Sequence, residues 1–132
     1  MMKANAAKSR LVVKRLNHVQ LSIPTGTEDQ ARAFYRDIIG LREISKPESL
    51  MSRGGLWFEI GDIELHLGVE AVVNPTKHHP AFEVEDVRSA RALFESSGVK
   101  IQEEPAIPGR ERFTIWDPFG NRIEFLQFVD QD

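Results

Sequence analysis

Two histidines and two glutamates stand at matching places in two similar halves of the sequence. His18 and His79 lie about 60 residues apart, and so do Glu64 and Glu124. Imidazole nitrogens and carboxylate oxygens, with no thiolate, are ligands of first-row divalent metals. They suit Zn, Ni, Mn, Co or Fe without choosing among them. The four residues therefore predict one metal site, and the alternative is a polar cleft in which they only form hydrogen bonds.

The identity of the fourth metal ligand stays open, because His66 is an alternative to Glu64. This histidine follows Glu64 by two residues, and in a strand that spacing puts both side chains on one face. The repeat favours Glu64, since Ile63-Glu64-Leu65 resembles Ile123-Glu124-Phe125. If Glu64 is the ligand, His66 becomes a candidate general base or a group that hydrogen-bonds the substrate. The catalytic candidates are Glu64, His66 and Glu124.

The elements that must position these residues occur in the same order twice. Thr27 with Gln30 predicts the start of a first helix, and Asp86 predicts the start of a second. The predicted elements of the first half are a strand at 16–23, a helix at 27–40, and strands at 41–44, 56–60 and 63–67. Those of the second half are a strand at 79–84, a helix at 86–98, and strands at 99–101, 112–116 and 122–127.

The duplicated order predicts an α+β fold of two βαβββ modules in one domain, with mixed sheets curled around a central cleft. Module one spans about residues 15–70 and module two about 77–129, within a domain at 15–129. Residues 1–14 are predicted to be a flexible lead-in. Each sheet should press its apolar face on a helix and turn its polar face to the cleft.

The candidates for substrate binding are Gln20, Trp57, His66, Arg110 and Arg112. Gln20 shares the polar face of the first strand with His18. Trp57 is a candidate wall of the pocket, and ordinary packing is the alternative. The two arginines suit an anionic substrate group, and the alternative for them is a solvated surface position.

Composition narrows the class of protein. At 132 residues with no cysteine, the chain fits a single domain without disulfides. Its net charge of −3 gives no reason to expect nucleic acid as a partner, and no apolar run has membrane-spanning length. The N-terminus lacks the apolar stretch of a signal peptide. We therefore expect a cytoplasmic protein that binds a small molecule.

The sequence resembles the vicinal oxygen chelate superfamily over about residues 16–128. This is the group of glyoxalase I, fosfomycin-resistance proteins and extradiol dioxygenases. The resemblance is carried by Asn17-His18-Val19, Phe34-Tyr35-Arg36-Asp37-Ile38-Ile39-Gly40-Leu41 and Asp117-Pro118-Phe119-Gly120-Asn121-Arg122-Ile123-Glu124. It implies paired βαβββ modules with metal ligands at His18, His79 and Glu124. Glyoxalase-type members add a carboxylate or amide on the last strand of the first module, where Glu64 stands.

The resemblance implies a metal-dependent enzyme of glyoxalase type, a lyase or isomerase, that chelates a small oxygen-bearing substrate. It leaves two alternatives, a metal-free protein that binds an antibiotic or another small aromatic molecule, and a thiol transferase of fosfomycin type. A ring-cleaving dioxygenase is less favoured, because such enzymes are usually longer. His66 departs from glyoxalase I and Gln20 departs from the fosfomycin enzymes. Small members imply a homodimer, in which the two modules of one site can come from different chains.

Overall fold

The predicted order of one strand, one helix and three strands occurs twice in the computed structural model, which describes residues 11–74 and 76–130. Most of the predicted lead-in, residues 1–10, lies outside this part of the chain. The first module contains β1 (His18–Pro24), α1 (Glu28–Arg32), β2 (Glu43–Ile44), β3 (Leu56–Ile60) and β4 (Ile63–Glu70). The second contains β5 (Ala81–Glu83), α2 (Val87–Ser96), β6 (Ile101–Glu103), β7 (Arg110–Trp116) and β8 (Arg122–Phe128).

Each module forms a mixed four-stranded sheet, which confirms the predicted α+β fold. The strand order is β1-β4-β3-β2 in the first sheet and β5-β8-β7-β6 in the second. β1 pairs with β4, and β5 with β8, in parallel, whereas the remaining neighbours are antiparallel. Across the described ranges, no helix is long and apolar enough to cross a membrane.

The helix-facing sides of both sheets bury one continuous apolar core. Phe34, from the first module, packs near Phe94 of the second with their ring centroids 6.4 Å apart. The core also takes alternate residues of the central strands, which are Leu65 and Leu67 on β4 and Phe113 and Ile115 on β7. Because apolar burial joins the modules along these faces, their polar faces are the ones that point away from the shared core.

A buried hydrogen-bond network fastens the modules together. α1 continues as a π-helix over Ala33–Ile38, from which the buried Tyr35 hydroxyl donates to Asp117 Oδ2 at 2.6 Å. The Asn121 side-chain amide donates to Asp117 Oδ2 and to the Ser22 carbonyl of β1, both at 2.8 Å. Burial, and then the neighbouring Asp117 carboxylate, raise the pKa of Tyr35 well above its usual value, so its hydroxyl stays a donor.

The helix starts and the fifth strand differ in part from prediction. Asp86 caps α2 as predicted, since its Oδ1 accepts from the backbone N–H groups of Arg88 and Ser89 at 3.1 Å each. α1 begins after Thr27 as predicted, but the predicted side-chain cap is wrong, because the Thr27 hydroxyl donates to the Pro24 carbonyl and no side chain caps this helix. β5 is shorter than predicted and begins only after Pro80, which has no N–H for the sheet.

Gly55→Ala is expected to lower the free energy of unfolding by about 3 kcal/mol in a urea titration. Gly55 has a φ of +85°, and a Cβ there would lie 2.2 Å from the Leu67 carbonyl oxygen. Gly61→Ala is the matched control, with a φ of +55° and nothing within 4 Å of its Cβ. It should cost only about 1 kcal/mol. Equal losses in the two variants would show that the contact with β4 does not matter.

Candidate functional site

The predicted site residues of the first module border one cavity on the polar face of its sheet. Pairing of β1 with β4 puts His18 opposite Glu64 and Gln20 opposite His66. Pairing of β3 with β4 puts Trp57 opposite His66 as well. All five residues line a cavity of about 610 Å³. Strand alternation thus brings together the imidazole, carboxylate, amide and indole groups that the sequence indicated for this module.

His66 lies at the centre of three stacked rings. Its ring is 3.8 Å from the Trp57 ring at 2° and 4.1 Å from the His18 ring at 16°. Only 5 % of His66 is exposed, and its Nε2 lies 2.9 Å from Glu64 Oε1. The stack and the Glu64 contact fix the orientation of the imidazole. Trp57 therefore both packs on His66 and borders the cavity.

In both His18 and His79, the ring nitrogen Nδ1 lies within hydrogen-bond distance of an oxygen from a nearby residue of the chain. His18 Nδ1 lies 2.9 Å from Asn17 Oδ1, and His79 Nδ1 lies 2.9 Å from the Lys77 carbonyl oxygen. Since these oxygens only accept, Nδ1 carries a proton in each ring, which leaves Nε2 as the nitrogen that can bind a metal. This is the tautomer in which a histidine binds a metal through Nε2 while Nδ1 is held by a second group.

In the second module, His79 and Glu124 face each other. His79 Nε2 lies 3.2 Å from Glu124 Oε1, and Glu124 is 7 % exposed. The Arg112 guanidinium lies 3.5 Å from the same carboxylate oxygen. An imidazole nitrogen and a carboxylate oxygen at this distance are stabilised by a proton on the imidazole or by a metal ion that both atoms bind. The residues of this module therefore fit a divalent ion.

The strand register changes which residue of the first module corresponds to Glu124. Glu124 lies opposite Ala81, two residues after His79. In the first module, the residue opposite Gln20, two residues after His18, is His66. The match of Glu64 with Glu124 is therefore displaced by two residues in the structure, and His66 takes the equivalent position. The contacts agree, because His18 stacks on His66 as His79 contacts Glu124.

Within one chain, the two sets of predicted ligands stay apart. His18, Glu64 and His66 border the first cavity, whereas His79 borders a separate one of about 480 Å³ that does not include Glu124. Within residues 11–74 and 76–130, no group of three or more histidine, aspartate or glutamate side chains is placed to hold a metal ion. The shared core explains this separation, because it draws the helix faces of both modules together and turns their polar faces away. The site of four ligands stays a prediction.

Arg110 and Arg112 lie on the same face of the second sheet as Glu124. Thr114 is opposite Glu124, and the two arginines precede Thr114 at alternate positions of β7. The Arg112 side chain is only 15 % exposed and donates to the Pro105 carbonyl at 2.7 Å. It is therefore not the solvated surface group that the alternative interpretation expected. The Arg110 guanidinium packs 4.9 Å from the Phe128 ring centroid.

The structure adds Glu104, which no sequence pattern indicated. It lies in the proline-containing loop after β6, and it accepts from Arg122 at 2.9 Å. A hydrogen bond from the Thr114 hydroxyl, and then the Arg122 guanidinium, lower the pKa of Glu104. A loop residue of this kind has no periodic pattern, so only the folded loop shows that it reaches the face that carries Glu124.

The sequence and the fold together define the class of protein. The sequence model of the Glyoxalase/Bleomycin resistance protein/Dioxygenase superfamily matches residues 15–125, and the chain belongs to this superfamily. The resemblance to the vicinal oxygen chelate group is thereby confirmed.

Individual relatives agree with this membership. A Bacillus anthracis protein assigned to the glyoxalase family is 44 % identical, with a TM-score of 0.86 over 91 % of this chain and 99 % of that one. Lactoylglutathione lyase of Agrobacterium tumefaciens is 22 % identical and covers 88 % of this chain and 95 % of its own, with a TM-score of 0.70, which shows a shared fold. Glyoxylase I 4 of Arabidopsis thaliana is 29 % identical over 89 % of this chain and 73 % of its own length.

Proposed function

We propose that this chain is a metal-dependent enzyme of glyoxalase type, a lyase or isomerase, and that two copies of it build each site. Each copy would contribute the polar face of its first module to one site and that of its second module to the other. The observation that carries the proposal is the pair of matching contacts, His18 with His66 and His79 with Glu124, each on the polar face of its sheet. A homodimer of this kind is symmetric, with two equal sites.

The proposed ligands are His18 and His66 from one chain with His79 and Glu124 from its partner. His66 replaces Glu64 as the fourth ligand because it holds the register position of Glu124. Glu64 then holds His66 in place through the 2.9 Å contact with its Nε2. Three imidazoles and one carboxylate suit Zn, Ni, Mn, Co or Fe(II).

The bound ion would supply Lewis-acid polarisation of a substrate oxygen. Glu64 is the group of the chain that can move a proton, since its carboxylate borders the cavity beside His66 and is partly open to it. Trp57 would exclude water along one wall of the cavity. The Gln20 amide lies over Gly68, where even a Cβ would come within 2.4 Å of its Nε2, and it can hydrogen-bond a substrate oxygen.

Elemental analysis after dialysis against each candidate metal tests the proposal. Wild-type protein should retain about one divalent ion per chain. His66→Ala and Glu124→Ala should lose it, whereas Glu64→Gln should weaken metal affinity by about 10- to 100-fold, because it removes only the support of His66. Activity is then screened with a thiol hemiacetal substrate.

His78→Ala is the matched control for a ligand variant. His78 adjoins the proposed ligand His79 but is exposed, and its one hydrogen bond among the described residues runs from its backbone N–H to Thr76 Oγ1. Metal binding should be unchanged in this variant. The proposal fails if wild-type protein retains no ion from any of the five metals, or if Glu64→Gln abolishes binding and His66→Ala does not.

One observation supports a second candidate function, a metal-free protein that sequesters a flat aromatic molecule. The Trp57, His66 and His18 rings stack in a row along the wall of the first cavity. Such a wall offers stacking surface to a planar ligand. Under this alternative, chelator-treated protein would bind an aromatic antibiotic such as bleomycin with a change in tryptophan fluorescence, and Glu124→Ala would not alter its affinity. A fosfomycin activity screen with a thiol tests the transferase alternative.

A further inference from the structure

Three arginines occupy the face of the second sheet that carries Glu124. Arg110 and Arg112 lie at alternate positions of β7, and Arg122 lies two residues before Glu124 on β8. The register of β7 with β8 puts Arg122 opposite Trp116 and Glu124 opposite Thr114. All three arginine side chains therefore leave the sheet on one side, beside the proposed ligand.

These guanidinium groups have fewer acceptors than their donors require. Arg112 and Arg122 each donate one hydrogen bond, to the Pro105 carbonyl at 2.7 Å and to Glu104 at 2.9 Å. The Nε of Arg110, Arg112 and Arg122 is buried without a hydrogen-bond partner. Across the described part of the chain, no other buried side-chain nitrogen or oxygen is in that position. Buried donors are nearly always paired, so three on one face indicate acceptors that come from outside the chain.

Arg32 and Arg42, elsewhere on the protein, do not show this shortage. Arg32 donates to both carboxylate oxygens of Glu43 at 2.9 and 3.1 Å, using its Nε and one terminal nitrogen. Arg42 does the same to Glu59 at 2.8 and 2.7 Å. Arg15 and Arg53 also lack a two-pronged carboxylate partner among the described residues, but both are exposed to water. Among the described residues, the shortage of acceptors for buried guanidinium nitrogens is therefore confined to the face that carries Glu124.

We infer that Arg110, Arg112 and Arg122 form a receptor for an oxyanion, so that the substrate of the proposed enzyme carries a carboxylate, phosphonate or phosphate group. The planar guanidinium fork matches two oxygens of such a group at once. Arg112 lies 3.5 Å from Glu124, so the anionic group would bind next to the reacting end of the substrate. The substrate assignment rests on the proposed function, whereas the receptor itself does not require the metal.

Phosphate and acetate binding to chelator-treated protein test the receptor without the metal. In a calorimetric titration, wild-type protein should bind inorganic phosphate, acetate or both saturably. Arg112→Gln and Arg122→Gln should weaken the binding at least tenfold, and Arg112→Lys, which keeps the charge but not the fork, should lie between them and wild type. Binding of one anion alone assigns the chemistry of the group. Arg42→Gln, which removes an exposed paired arginine, should leave the affinity unchanged.

Glu124→Gln separates the receptor from the metal centre. This variant removes a proposed metal ligand and a negative charge near Arg112, so it should lose the metal but keep or strengthen anion binding. If wild-type protein binds an anion but no metal, the proposed function is overturned and the receptor is not. The receptor is overturned if folded wild-type protein, checked by circular dichroism, binds neither anion saturably. Equal affinity in wild type and both glutamine variants, or an equal loss in Arg42→Gln, would overturn it too.

Discussion

An equal mixture of His18→Ala chains and Glu124→Ala chains, allowed to pair at random, is expected to recover about one quarter of the wild-type metal content. Each variant alone should bind almost none, because every site lacks one ligand. In a mixed dimer, the first module of the Glu124→Ala chain meets the second module of the His18→Ala chain, and that site is intact. The other site of the same dimer lacks both ligands. Random pairing makes half of the dimers mixed, and each mixed dimer has one working site of two.

Recovery of metal content requires that each site is shared between two chains, so the experiment tests the shared site directly. If each site lay within one chain, every chain in the mixture would still lack one ligand, and metal content would stay near zero. Co-expression of the two variants, followed by elemental analysis of the purified dimer, measures the recovery. Sedimentation must show dimers in all three samples. Dimers without recovered metal would contradict the shared site.

The order of elements was predictable because its causes are local. Alternation of polar and apolar residues defines a strand and the face of each of its residues. His18, Gln20 and Glu64 were assigned to one face in this way, and they border one cavity in the structure. Asp86 marked a helix start correctly because its carboxylate meets backbone N–H groups two and three residues away. Features of this kind need no knowledge of the other module.

The match of Glu64 with Glu124 shows that a local sequence pattern does not determine the register between neighbouring strands. Side chains alternate with a period of two, so a displacement of two residues leaves every residue on the same face. The similar segments around Glu64 and Glu124 therefore align by residue type even though the register places His66, and not Glu64, at the equivalent position. Hydrogen bonds between neighbouring strands settle the register, and a single sequence does not contain them.

The contacts between the two modules could not be predicted from the sequence, for a related reason. The sequence predicts the strands at 112–116 and 122–127 on either side of Asp117, but it does not show that the Asp117 carboxylate is an acceptor. Its partner Tyr35 lies 82 residues earlier in the chain. The π-helix that presents Tyr35 also has no signature in the apolar spacing, which fits an ordinary helix equally well. Such a contact becomes visible only when both modules are folded on the shared core.

Asp117→Ala is expected to lower the free energy of unfolding by about 3 to 5 kcal/mol, the largest loss of stability that we predict for one residue outside the apolar core. The Asp117 carboxylate accepts from the Tyr35 hydroxyl at 2.6 Å, from the backbone N–H groups of Phe119 and Asn121 at 2.9 and 2.8 Å, and from the Asn121 amide at 2.8 Å. The group is 5 % exposed, so water cannot readily replace it. Several donors would be left unpaired at once.

Tyr35→Phe is the matched variant, because it removes one donor and leaves the other three on Asp117. It should cost about 1 to 2 kcal/mol. In the double variant the two losses should not add, since both remove the same hydrogen bond, and the coupling should be about 1 kcal/mol. Urea titrations at one fixed protein concentration measure all four proteins, because dimer stability depends on concentration. Additive losses would mean that the bond between the modules contributes nothing, and that Asp117 acts only within its own turn.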